Sequence, residues 1–531
     1  MTSAPRLRRL PLLCAPLLGL LAGCDPWDLP GQSTNYLDDA TWDPAVVPAE
    51  DGVYVRLPAA GDLVRVRPDG SFAAVDLAGA SPDRMTLAPD NQTILAFVSW
   101  PVCSDDDPTI VYVDDCRDED LDTASELVLI RDGAVEHALD VPAQYNAFAF
   151  NDAGTLAVAY LDFSAGASID VSGVLNLTEA VFVDIASGES HAVPVGFAPE
   201  NVLFSADGGK ALVLSRSKVA VVSLVGEDAW TRTVVYPLTL DVDQEVDPDN
   251  AVLISDDDGD TEYALVSVSG QSELYVLDLT NESIDIVELD GVPADLLVDA
   301  ATNHTLIVYA NRAALDVLEH ELFEVESFPL DEPCTQLSGG DGQVVLYNDR
   351  GNTHDVYLFD TLSGTLHEER AENPVMELRL TEDAAWGVAT MRTESSGGND
   401  VSGFYDQYYG LGLFELGLAP RDPVALLLEG EPVGFALTTA DTANYALVLM
   451  SGVDALQKID VAAATASEIV LEEPPVGIDA MPGGLFVVTH PNALGLVTFV
   501  DAATETLTTA AGFASTGLLD RPLLPRRNVE E

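Results

Sequence analysis

The sequence predicts an all-β fold made of radially repeated four-stranded units, a β-propeller, and three observations predict it. Asp299, Asp341 and Asp383 stand 42 residues apart twice over (341−299 and 383−341), each between two short apolar runs that read as one hairpin. A second kind of strand pair, closed by an aspartate, recurs between those hairpins. The chain has 531 residues, more than a single core usually serves, and 47% of them are apolar, so a small repeated unit accounts for both the length and the hydrophobic supply.

The hairpin is clearest at residues 198–214, APENVLFSADGGKALVL, where Asp207 and Gly208 supply the turn. Asp-Gly between alternating apolar residues is the strongest short hairpin signal, because glycine accepts the positive φ of a tight turn. The same shape recurs from residues 85, 148, 296, 336, 378 and 435, with weaker copies near 251 and 476. The second pair is visible in strands that end at Asp184, Asp278, Asp360 and Asp501, each followed by a short turn. An aspartate in a turn bonds its own backbone, which gives these four a structural part. One unit is then four short antiparallel strands in 40 to 60 residues, whereas a solenoid needs shorter repeats and a sandwich does not repeat. Nine hairpins and an incomplete set near residues 53–78 predict seven to ten blades. That incomplete set lacks a leading apolar strand, and residues 509–519 are expected to supply it by sharing one blade between the chain ends.

Charge narrows the function. The formal net charge is 23−89 = −66, and the lysines are three, Lys210, Lys218 and Lys458. A polyanion of this size is repelled by DNA, RNA and anionic lipid, so nucleic acid is excluded as a partner. The plain reading is a solvated acidic surface that keeps an exported protein soluble. Divalent cations, a cationic partner and a salty habitat are sharper readings among which composition does not choose.

At the N-terminus Arg6, Arg8 and Arg9 precede an apolar stretch, residues 10–22, that ends in small residues. Too short to span a bilayer and interrupted by Pro11 and Pro16, it reads as an export signal. Residues 24–50 are rich in Pro, Asp and small polar residues and read as a disordered tether, and residues 521–531 as a disordered tail, which leaves 51–520 for the propeller. The run Leu21, Ala22, Gly23, Cys24 resembles the lipobox of bacterial lipoproteins. The resemblance implies cleavage after a signal peptide of residues 1–23, an acylated Cys24, and a body on the exported side of the cell envelope held to the membrane by its lipid anchor. An ordinary cleaved signal with an incidental cysteine is the alternative. Asp25 resembles the inner-membrane retention signal of enterobacterial lipoproteins.

Candidate sites lie where the repeat is interrupted. Cys103 and Cys116 flank an acidic insertion, and in an exported protein such a pair reads as a disulfide stapling a loop; metal ligation would need a histidine, and His137 is the closest in sequence. Cys334 is then an odd, buried thiol. Asp256, Asp258, Asp260 and Glu262 alternate, and oxygen ligands at every second residue can wrap Ca²⁺. Gly259 at the fourth place and Ser267 at the twelfth exclude an EF-hand loop, and a solvated turn is the competing reading. Residues 395–412 gather Phe404, Tyr405, Tyr408 and Tyr409, either as contacts for a protein or glycan partner or as cover for a blade edge. No GxSxG, Walker, CxxCH or HExxH motif occurs, and His191, His304, His354, His367 and His490 read as satisfied structural imidazoles.

Residues 272–312 carry a strand Leu274, Tyr275, Val276, Leu277, Asp278, then a proline, an apolar strand, an Asp turn and a strand ending at Val308, Tyr309, Ala310, Asn311. This resembles the YVTN-type repeat of lactonase-like bacterial propellers, loosely and over most of residues 51–514. The resemblance implies the fold more than any activity. The expected function is a lipid-anchored envelope module that binds or assembles a protein or glycan partner, with a hydrolytic propeller holding a divalent cation in its central channel as the alternative.

Overall fold

The computed structural model describes residues 46–57, 62–78, 80–103, 121–141, 145–162, 178–226, 229–239, 246–255, 261–393, 407–417, 422–440, 442–492 and 494–515. They form ten four-stranded antiparallel sheets arranged as a β-propeller. The blades span residues 46–75, 81–140, 147–194, 199–237, 248–288, 293–329, 336–370, 375–427, 432–470 and 477–511. In nine of them the spatial order of strands is the chain order, and the third differs only in the direction of counting. The first strands of neighbouring blades approach one another and so line the axis.

Alternation explains the assembly. In the second strand of blade 6, His304–Tyr309, Leu306 and Val308 join the apolar cluster shared with blade 7, while Ile307 and Tyr309 join the cluster shared with blade 5. A strand buried on both faces reads as a continuous apolar run, which is why the second and third strands carry the strongest sequence signal. Fourth strands are outer edges and are written accordingly: Ser283–Glu288 is largely exposed and carries Asp285 and Glu288. Ten clusters occupy the ten blade-to-blade interfaces, and the tenth joins Val53, Val55 and Val64 of blade 1 to Val487, Phe499 and Phe513 at the other end of the chain, closing the ring.

Closure corrects one expectation. The leading strand of blade 1 is Val46–Ala49, paired with Gly52–Leu57, and Leu507–Ala511 is the outer strand of blade 10, so among the described residues no blade is shared between the chain ends. The propeller accordingly begins at Val46, inside the segment read as tether, because those residues find ladder partners immediately downstream. The C-terminal turn Phe513–Ser515 packs on blade 1 instead of pairing with it. Phe513 is fully buried, meets Phe72 edge-on at 6.1 Å, and lies over Gly495, where an added Cβ would come within 2.6 Å of the ring.

Antiparallel order sorts the connections onto two rims. Turns joining first to second and third to fourth strands share one rim, here the turn rim; the remaining connections share the other, the loop rim. No turn-rim connection exceeds eight residues, the longest lying between Glu415 and Val424 (424−415−1). On the loop rim three connections between second and third strands are 17, 18 and 18 residues long (121−103−1, 179−160−1, 410−391−1), whereas the other seven of that kind run from two to seven.

Candidate ligand-binding cavity

The turn rim is built by carboxylates bonded to backbone. Asp184, Asp278, Asp360 and Asp501 each accept the N–H of a residue three positions on, and Asp460 does the same for Ala463. Asp299, fully buried, accepts Thr302 N and Oγ1 within its turn, then Gly342 N at 2.8 Å and Thr361 Oγ1 at 2.6 Å from blade 7. Asp383 accepts Thr381 Oγ1 at 2.6 Å and both of its oxygens meet Asn444 Nδ2 of blade 9. Asp341 is exposed and sits at φ 54°, reversing the chain ahead of Gly342.

Between blades 5 and 6 this rim opens into a cavity of about 540 Å³. Its floor is set by Asn303, at φ 53°, whose Nδ2 donates to Ser255 O across the blade boundary at 3.0 Å. Glu262 and Tyr263, from the start of the second strand of blade 5, form one wall. His304, from the equivalent strand of blade 6, faces them with the turn residues Glu319, His320 and Glu321. Glu319 accepts the backbone N–H of Glu321 at 2.8 Å and of Leu322 at 2.9 Å, and these bonds hold its carboxyl below the usual range. His320 Nε2 lies 2.8 Å from Thr305 Oγ1, while its Nδ1 is buried without a partner among the described residues. Burial, reinforced by His304 with its ring perpendicular at 6.4 Å, pushes His320 down to about 4 despite Glu319 nearby, so the ring is neutral at neutral pH.

A larger groove, about 850 Å³, lies between blades 4 and 5. Its walls are mainly apolar, with Leu238, Val246, Tyr275, Ile284 and Ile286, and Glu273 is its one charged lining residue among the described residues. Asp295 accepts Leu337 N at 2.8 Å, yet burial keeps its carboxyl above the usual range; burial does the same to Asp479 despite Arg379. Among the described residues no three His, Cys, Asp or Glu side chains come together in a way that could hold a metal ion.

The residues singled out in the sequence fall differently. Glu262 lines the cavity, whereas Asp256, Asp258 and Asp260 lie outside the described residues. Cys24 and Cys116 also lie outside them; Cys103 ends the strand Ile94–Cys103, and its side chain is not among those described. Phe404 and Tyr405 are outside as well. Tyr408 is 43% exposed, while Tyr409 packs against the blade 8–9 core. Cys334 is a buried free thiol whose pKa burial pushes up to about 12. His490 and His354 are bonded to backbone carbonyls, as structural imidazoles should be. His304, read in the sequence as a structural imidazole, lines the cavity, and His320 is a lining residue that the sequence reading does not single out. Their signal was faint but present: His304 stands one 42-residue repeat after Glu262 (304−262), and Glu319, His320 and Glu321 replace the aspartate turn that blade 5 forms at Asp278.

No family model matches the chain, and no curated protein matches it. Among solved structures it is similar to dihydro-heme d1 dehydrogenase NirN in complex with DHE, at 13% identity over 76% of this chain and 78% of that one, TM-score 0.40. It is similar also to Sqt1 of Saccharomyces cerevisiae, at 8% identity over 70% of this chain and 95% of that one, TM-score 0.40. Apo AztD of Citrobacter koseri is a third, at 12% identity over 63% of this chain and 92% of that one, TM-score 0.35.

Proposed function

We propose that this chain is an exported, lipid-anchored β-propeller of the cell envelope that binds or assembles a protein or glycan partner through its loop rim. One observation carries the reading: all three long second-to-third-strand connections, after Cys103, Tyr160 and Met391, leave the ring on the same rim, while the opposite rim is trimmed to short turns. A rigid ring that concentrates its variable segments on one side is a display scaffold, with the blades fixing where the loops stand. The acylated Cys24 would tether it, with 21 residues between that cysteine and the first strand at Val46 (46−24−1). A Cys103–Cys116 disulfide would staple the first of the three connections.

The test uses the mature protein with residues 107–114 or 396–405 replaced by a Gly-Ser linker, read on a glycan array and by cross-linking in intact cells. Glycans or envelope proteins recovered with the natural chain should be lost from at least one replacement, and a partner set unchanged by both would refute loop-rim binding. Cys24→Ser should move the protein from the membrane to the soluble fraction.

A further inference from the structure

The loop rim of blades 9 and 10 carries exposed apolar side chains that do not come from the long connections. Val433 and Val476 stand at the loop-rim ends of the two inner strands, Val470 ends the outer strand of blade 9, and Leu494 lies in the second-to-third-strand connection of blade 10; all four are between 48% and 68% exposed. We propose that residues 516–531 of the same chain dock on this patch, their leucines covering the apolar side chains and their arginines facing the carboxylates around them.

The four side chains belong to one surface. A Cβ added to Gly434 would meet Ile478 Cγ2 at 3.6 Å, so the inner strands that carry Val433 and follow Val476 run side by side. Residues 470–476 join Val470 to Val476 along the chain. Midway, Glu473 receives Asn492 Nδ2 on both carboxylate oxygens, at 3.1 and 3.2 Å, and Asn492 Oδ1 in turn accepts Leu494 N at 3.0 Å. Apolar side chains scattered singly are ordinary on a protein surface, whereas a contiguous group marks a place that something covers.

Position and length select the occupant. Ala514 N donates to Leu494 O at 2.9 Å, so the chain leaves the last described residue, Ser515, at the border of the patch. The patch spans one blade-to-blade spacing, about 10 Å, by the width of a four-stranded sheet, about 14 Å. Sixteen residues follow Ser515 (531−515), and ten of them extended already reach about 33 Å.

Composition makes the same choice. The segment holds Leu518, Leu519, Leu523 and Leu524 together with Arg521, Arg526 and Arg527. Glu429, Glu431, Asp454 and Glu472 are exposed on the rim beside the apolar side chains. Between Asp422 and Asp520 the one Lys or Arg in the sequence is Lys458, and its Nζ donates to Glu505 Oε1 at 3.0 Å, so blades 9 and 10 offer these carboxylates no cation of their own. Pro522 and Pro525 restrict the backbone and so lower the entropy that docking costs.

Fluorescence anisotropy of a labelled peptide of residues 516–531, at about 150 mM salt where long-range attraction is screened, tests the proposal. A mature chain shortened to end at Ser515 keeps every described strand and should bind the peptide at one saturable site. The full mature chain should bind it about tenfold more weakly or worse, because its own segment competes at high effective concentration. In the shortened chain Val476→Ser and Leu494→Ser should each weaken binding about tenfold. Ile286→Ser, at a similarly exposed position on the outer strand of blade 5, should leave it unchanged. A peptide carrying Arg521→Gln, Arg526→Gln and Arg527→Gln should also bind about tenfold more weakly. Equal binding by the full and shortened chains, or equal weakening by Ile286→Ser, would overturn the proposal. A scrambled peptide that binds as tightly would overturn it in favour of basic partners in general, and a dimer of the full chain that Val476→Ser dissociates, read by sedimentation, in favour of a second copy. If Leu494→Ser lowers the melting temperature, Val470→Ser decides in its place. None of these substitutions touches residues 107–114 or 396–405, so this reading and loop-rim display fail separately.

Discussion

The joint between blades 6 and 7 and the seam between blades 10 and 1 complete the same ring by different means. At the joint the chain runs straight through residues 330–335, so the two blades arrive together, and two carboxylates of blade 6 are added to the apolar cluster between them: Asp299 takes Gly342 N and Thr361 Oγ1, and Asp295 takes Leu337 N. The seam has no connecting chain. It rests on apolar burial, Val53, Val55 and Val64 against Val487 and Phe499, with Phe513 packed in the same cluster. A covalently linked joint can rely on directional polar contacts, because the entropy of bringing its halves together is small. An unlinked seam joins residues more than four hundred positions apart and needs non-directional burial strong enough to offset that ordering.

The largest effect should therefore come from the seam. Phe513→Ala removes a fully buried ring and leaves a void over Gly495, which should cost about 3–5 kcal/mol. The denaturant midpoint would report the loss, and limited proteolysis should show cleavage appearing first in blades 1 and 10. A loss below about 1 kcal/mol would mean that the seam is no more dependent on burial than an ordinary surface contact.

Next comes the joint. Asp299→Ala strands Gly342 N–H and the Thr302 and Thr361 hydroxyls, at about 1–3 kcal/mol. The carboxylate also gives this joint a pH signature. Burial opposes ionisation of Asp299, but its hydrogen bonds from Thr361, Gly342 and Thr302 outweigh burial and hold it below the ordinary 3.8. Because its folded pKa is depressed, its contribution is complete above the unfolded value and is lost as pH falls through the folded one. Acid unfolding of the natural chain should steepen below about pH 4, and Asp299→Asn should flatten that part of the curve. An unchanged acid limb would remove Asp299 as the joint's electrostatic element.

How much of this was legible in the sequence follows from which interactions are local. The strands, the turns at Asp184, Asp278, Asp360 and Asp501, and the buried state of Cys334 depend on neighbours in the chain, and short-range patterning reports them. The seam does not: Val46–Ala49 is short and begins with two valines in a Pro-flanked, acidic stretch, so its role as a strand is fixed by pairing with Gly52–Leu57. The cavity was read only through Glu262. His304 and His320 come together with it because blades 5 and 6 pack side by side, and a pattern confined to one blade cannot report a site assembled from two. The connection after Tyr160 went unremarked since it interrupts a blade without cysteines or clustered aromatics to mark it.

Asp383 and Asp341 provide the smaller tests, and they separate spacing from function. Asp383 reaches blade 9 through Asn444 but also serves its own turn through Thr381 and Ala385, so Asp383→Ala should cost about 1 kcal/mol, less than Asp299→Ala because its position is not fully buried. Asp341 stands at the same interval, yet it is exposed, and its left-handed φ of 54° is the feature its turn requires. Glycine adopts that conformation without a Cβ penalty but has more freedom to lose on folding, and the two effects nearly cancel. Asp341→Gly should shift stability by less than about 0.5 kcal/mol in either direction, measured by the same denaturant midpoint. A loss approaching that of Asp299→Ala would mean that the 42-residue interval marks inter-blade latches throughout. A negligible one would mean that it marks chain reversal, and that latching was added wherever the next blade happened to offer an N–H.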